Sequence, residues 1–142
     1  MSTTDTTTQD LEVLHVRGWQ EPDLPLSFEP GSDYVEYCWL PVLGPTATLL
    51  LRRLGGVASA RPTGAEVDAL DLSLCLGLGR QLHHGGHLAR AIERLEHFGF
   101  LQPVPDGETW LVRTAVPPLS GTRLSRLSLT ARGVHNHLTR VG

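Results

Sequence analysis

The chain of 142 residues contains no lysine, so all twelve of its basic residues are arginine. Without lysine the phosphate-binding signature G-x-x-x-x-G-K-[ST] cannot be written. The bias reads mainly as the mark of a GC-rich genome, although arginine also suits bidentate contacts to phosphate and guanine. Cysteine is almost as scarce. Cys38 and Cys75 lie in apolar surroundings with no C-x-x-C spacing, which predicts buried free thiols rather than a disulfide or a metal pair. No apolar run approaches the roughly 18 residues that a membrane span requires. The first ten residues are polar and Thr-rich, where a signal peptide would need a basic start and an apolar stretch. The expectation is a cytoplasmic protein with no membrane partner. No G-x-S-x-G is present and the serines and threonines stand singly in loops, so no nucleophile is set up for catalysis. Neither an enzyme nor a cofactor is expected.

Acid is missing from the end of the chain. Residues 1–36 carry eight acids against Arg17, a charge of −7, and residues 37–108 are near balance at −1. Residues 109–142 hold Arg113, Arg123, Arg126, Arg132 and Arg140 with no acid, a charge of +5. The net charge of −3 therefore conceals a basic C-terminal segment that a nucleic-acid partner would favour.

Met1–Asp10 has the composition of a disordered tail. Pro22, Pro25, Pro30 and Gly31 keep the following stretch from forming one long helix. Leu11–Val16 can be read as a strand, but apolar groups fall on both of its faces. A first helix is predicted after Gly44, with Pro45 in the opening turn, Ala47, Leu50, Leu51 and Leu54 on one face, and Gly55 and Gly56 closing it. Asp68 can cap a short helix bearing Leu72 and Leu76, which Gly77 stops in a left-handed turn before the apolar plug Leu78. The clearest helix bears Leu88, Ile92, Leu95 and Phe98 at steps of four, three and three, with Gly99 at its end. Its polar face offers His87, Arg90, Arg94 and His97. Phe100–Val104 and Thr109–Arg113 read as strands of a hairpin turned at Asp106 and Gly107. A last helix is suggested by Leu127, Ala131, Val134 and Leu138, with Gly133 inside it at a cost of about 1 kcal/mol relative to alanine.

This order of helix, turn, helix and hairpin resembles the winged helix-turn-helix domains of bacterial transcription regulators over residues 41–116. Trp39–Pro45, Leu95–Phe100 and Arg113–Leu119 look like a group of uncharacterised actinobacterial proteins, a likeness that brings no activity with it. The implied class is α+β and mainly helical: a winged helix-turn-helix with a two-stranded wing and an added C-terminal helix. It divides into a flexible acidic segment (1–32), the winged domain (33–116) and an Arg-rich extension (117–142). The resemblance implies a recognition helix over 87–98 in the major groove of double-stranded DNA, with the hairpin as the wing.

Arg90 and Arg94 lie one turn apart where guanidinium groups can reach guanine or phosphate, and Arg94 has no acid three or four residues away. His87 shares their helix, and Arg80, His83 and His84 precede it in the turn. The wing tip carries Asp106 and Glu108 and should be repelled by phosphate, which leaves Arg113, Arg123 and Arg126 for the flanking contacts. His83, His84, His87 and Cys75 invite a metal reading, but Gly85 and Gly86 break the helical spacing and no carboxylate joins the cluster, so no metal is expected. The apolar stripe of the last helix suits a second copy of the chain, hence a homodimer. The acidic N-terminal region and wing tip favour a rival reading, docking of a protein partner. Trp19, Trp39 and Trp110 read as packing residues.

Overall fold

A computed structural model describes residues 12–140. The tail expected over Met1–Asp10 lies outside the described residues. Strand β1 (Val13–Trp19) is followed by a π-helical turn (Val35–Trp39) that runs into helix α1 (Leu40–Leu43). Next come α2 (Pro45–Ala60), β2 (Ala65–Asp68), α3 (Ala69–Cys75), α4 (His87–His97), β3 (Leu101–Pro103), β4 (Thr109–Arg113), α5 (Gly121–Ser125) and α6 (Leu129–Thr139). The fold is α+β, with one mixed sheet in the order β2-β1-β4-β3 among the described residues.

The sheet corrects the expected division at residue 32, because the N-terminal segment supplies β1 to its middle. β1 pairs antiparallel with β2 and parallel with β4, in a register that joins Val16 to Ala65 on one side and to Trp110 on the other. Leu14 and Val16 are buried, which turns His15 and Arg17 to the outer face. β1 has hydrogen-bonded neighbours on both edges, while Val13, the apolar residue of its outer face, stays exposed.

Helix α2 starts as predicted, with Gly44 at φ +86° and Pro45 in its first turn, and buries Ala47, Leu50, Leu51 and Leu54. It does not stop at Gly55 and Gly56 but continues for another turn. Gly55 meets a packing need: a Cβ there would stand 2.5 Å from Cβ and Cγ of Pro30. The missing side chain admits the proline of the preceding strap.

The next elements follow local chemistry. Asp68 caps α3, accepting the Asp71 N–H at 2.8 Å. Gly77, at φ +73°, closes that helix as the Leu78 N–H reaches back to the Ser73 carbonyl at 2.9 Å. Leu88, Ile92 and Leu95 of α4 are buried, and Phe100 and Leu101 carry the core from that helix into the β3–β4 hairpin. An eleven-residue connection (76–86) separates α3 from α4.

The C-terminal extension is part of the same core. The Tyr34 hydroxyl accepts the Leu119 N–H at 2.8 Å and shares a hydrogen bond with His135 Nδ1 at 2.7 Å. One turn on, Cys38 Sγ faces the Ala131 carbonyl at 3.5 Å, and Trp39 Nε1–H donates to the Pro117 carbonyl at 2.8 Å. Leu127 and Ala131 are buried and Val134 is half-buried. The stripe on which the homodimer expectation rested is thus covered within the chain, leaving Leu138 partly exposed. Cys38 is buried as expected, but Cys75 is exposed because it ends α3 on the side away from the core.

Candidate nucleic-acid interface

Once α4 buries Leu88, Ile92 and Leu95, the helical period turns His87, Arg90, Arg94 and His97 into one exposed stripe. Glu93 and Glu96 fall on its flank. Concave surfaces lie on either side of the stripe's first turn. One, of about 680 Å³, is formed with the α3–α4 connection and is lined by Arg80, Gln81, His83, His87 and Arg90 together with Leu78 and glycines. The other, of about 300 Å³, lies between α4 and the start of α2 and is lined by His87, Arg90 and Arg94 against Gly44–Ala47. His87 and Arg90 border both, and no carboxylate lines either.

The α3–α4 connection is held in place by its own hydrogen bonds. Ser73 Oγ–H donates to the Gly79 carbonyl at 2.6 Å. The His83 ring has Nδ1 at 3.0 Å from the His84 carbonyl and Nε2 at 3.3 Å from Gln81 Oε1. The structure brings Arg80, His83, His87 and Arg90 together. His84 is exposed but lines neither surface.

Three of the arginines have other work. Arg94, expected to be free for DNA, donates through Nε to the Leu43 carbonyl and through Nη2 to the Val42 carbonyl, the latter at 2.8 Å. It therefore satisfies carbonyls that the end of α1 leaves open, and its guanidinium lies 5.5 Å from the Phe98 ring centroid. Arg123 stands over the same ring at 5.1 Å. Arg113, expected to contact phosphate, is only 14 % exposed, lies 4.6 Å from the centroid of Trp19 and pairs with Glu21. That pairing corrects its assignment as a phosphate contact. Apart from Phe98, four residues after Arg94, these partners come from distant segments that sequence spacing could not reveal. Arg126 is exposed.

The hairpin tip is ordered by its acid. Asp106 Oδ1 accepts the Glu108 and Thr109 N–H groups at 2.8 and 3.0 Å, and Oδ2 accepts the Thr109 hydroxyl at 3.1 Å. These bonds, the Glu108 N–H foremost, hold its carboxyl below the usual range and keep the tip anionic. Among the described residues no three His, Cys, Asp or Glu side chains gather as metal ligands, and no helix is long and apolar enough to cross a membrane.

Two arginines that sequence reasoning left without a role, Arg17 and Arg61, line a further groove on the outer face of the sheet. The signal for Arg17 was available: it falls on the face of β1 opposite Leu14 and Val16. Comparison with protein-family models, with curated proteins and with solved structures finds no match for this chain.

Proposed function

We propose that this chain is a winged helix-turn-helix protein that binds double-stranded DNA as a transcription regulator in the cytoplasm, with α4 entering the major groove. The reading is carried by the two concave surfaces that meet at His87 and Arg90, which contain five basic groups and no carboxylate. The succession α2, β2, α3, α4 and the β3–β4 hairpin supports the winged reading. Two features depart from that motif: β1 stands between β2 and β4, and the α3–α4 connection is longer than the three or four residues usual in a helix-turn-helix. Arg90 and His87 are assigned to base edges, Arg80 and His83 to phosphates beside them, and Arg126 to flanking backbone. Arg94 positions α4 rather than reading sequence.

Fluorescence anisotropy with genomic fragments at low and moderate salt tests this. Binding should weaken steeply with salt, and Arg90→Ala should lower specific affinity by about 1–3 kcal/mol, the worth of one bidentate base contact. A folded protein that shifts no fragment at low salt would refute it. The anionic hairpin tip, with Arg113 and Arg123 both engaged, favours the second reading, a module that docks a protein partner. Salt-insensitive capture of one partner without DNA affinity would select it.

A further inference from the structure

The outer face of the sheet carries a separate cluster of charge that the α4 reading does not use. His15 and Arg17 project from β1 on the side opposite the core, and the loop entering β2 brings Arg61 and Thr63 alongside. Gly64 makes that approach possible. Its φ of +127° turns the loop through a backbone conformation that L side chains rarely adopt. With Glu66 and Thr109 these residues line a groove of about 510 Å³, within the roughly 300–1,000 Å³ of small-molecule sites. Both arginines are exposed and neither has an ion pair among the described residues. Glu66, the one carboxylate in the lining, stands 3.6 Å from His15 Nδ1.

From this geometry we propose that the groove binds a small phosphate-bearing molecule, held between the guanidinium groups of Arg17 and Arg61 with the Thr63 hydroxyl beside them. Two planar forks of donors suit the tetrahedral oxygens of a phosphate group, which accept bidentate hydrogen bonds. The polar lining disfavours an apolar ligand. The concave shape and modest volume of the groove suit a compact phosphate ester rather than the extended backbone of a duplex. Bound there, it would bridge β1 to the loop before β2, two segments joined otherwise by the sheet. The site is independent of DNA binding by α4.

Pyrophosphate, titrated into the full chain by calorimetry and by amide NMR, is the probe. Saturable binding is expected, with shifts centred on Thr63, Gly64 and Thr109. The Arg17→Ala, Arg61→Ala double variant should lose affinity by about tenfold or more, and Arg90→Ala should leave it unchanged. Matching thermal melts check that the variants fold, and the NMR shifts on the unmodified chain place the site without any substitution. No saturable binding at millimolar pyrophosphate would overturn the proposal. So would equal losses in Arg90→Ala, which would put the anion beside α4. A double variant that loses affinity for duplex DNA but keeps it for pyrophosphate would assign the arginines to the DNA backbone and likewise overturn it.

Discussion

Replacing Gly55 with alanine sets two effects of opposite sign against each other. In a helix interior alanine is favoured over glycine by about 1 kcal/mol, and Gly55 has a right-handed helical backbone that alanine adopts without strain. Against this, the added Cβ would lie 2.5 Å from two atoms of the buried Pro30 ring. A proline ring cannot rotate away, so the strap or the helix must shift. Overpacking of this kind costs about 1–3 kcal/mol, and the closeness of the contact places Gly55→Ala toward the upper end, a net loss of about 1–2 kcal/mol after the helical gain. The neighbouring position provides the control, because a Cβ at the exposed Gly56 meets nothing within 4 Å. Gly56→Ala should stabilise by up to about 1 kcal/mol. Urea unfolding followed by circular dichroism measures both. Gly55→Ala proving as stabilising as Gly56→Ala would refute the packing of Pro30 against α2.

Three further outcomes follow from contacts described above. Tyr34→Phe removes the partner of both the Leu119 N–H and His135 Nδ1; two buried polar groups left open should cost about 2–4 kcal/mol in denaturant unfolding, and a loss under about 0.5 kcal/mol would remove the clamp. Arg94→Ala should destabilise by about 1–2 kcal/mol because two carbonyls lose their donor, while Arg90→Ala stays within about 0.5 kcal/mol; equal melting curves for the two variants would contradict their separate roles. Burial pushes Tyr34 up from 10.0 to about 12 and Cys38 from 9.0 to about 11. Both shifts favour the neutral forms, so their stabilisation is full below the unfolded values and is lost as pH rises from about 9 to about 12. Stability measured by urea unfolding should fall across that window, and a flat profile would argue against these burials.

What the sequence revealed was mostly local. The Asp68 cap, the Gly77 stop, the apolar face of α4 and the hairpin at Asp106 and Gly107 each depend on residues within a few positions of one another. The basic cluster around His87 and Arg90 was legible for the same reason, since the connection and the first turn of α4 are contiguous. The misread features were those decided at a distance. Gly55 reads as a helix stop until Pro30 is placed against it, and Arg94 reads as free until α1 presents its carbonyls. Arg113 reads as a phosphate contact until Trp19 and Glu21 cover it. The stripe of α6 reads as a partner surface until the π-helical turn occupies it.

The position of β1 has a consequence for how the chain reaches this state. Its two neighbours are made long after it, and the register that joins Val16 to Trp110 spans most of the described chain. During synthesis β1 emerges before both of its partners, so it has no neighbour in the sheet until β2 is made, and its second edge stays open until β4 follows. The α2–α4 helices and the hairpin can assemble from nearby segments. Closing the middle of the sheet is the step of greatest loop entropy, and it is the step expected to limit folding. Until it occurs, Leu14 and Val16 remain on an unsatisfied strand that is open to pairing with another copy.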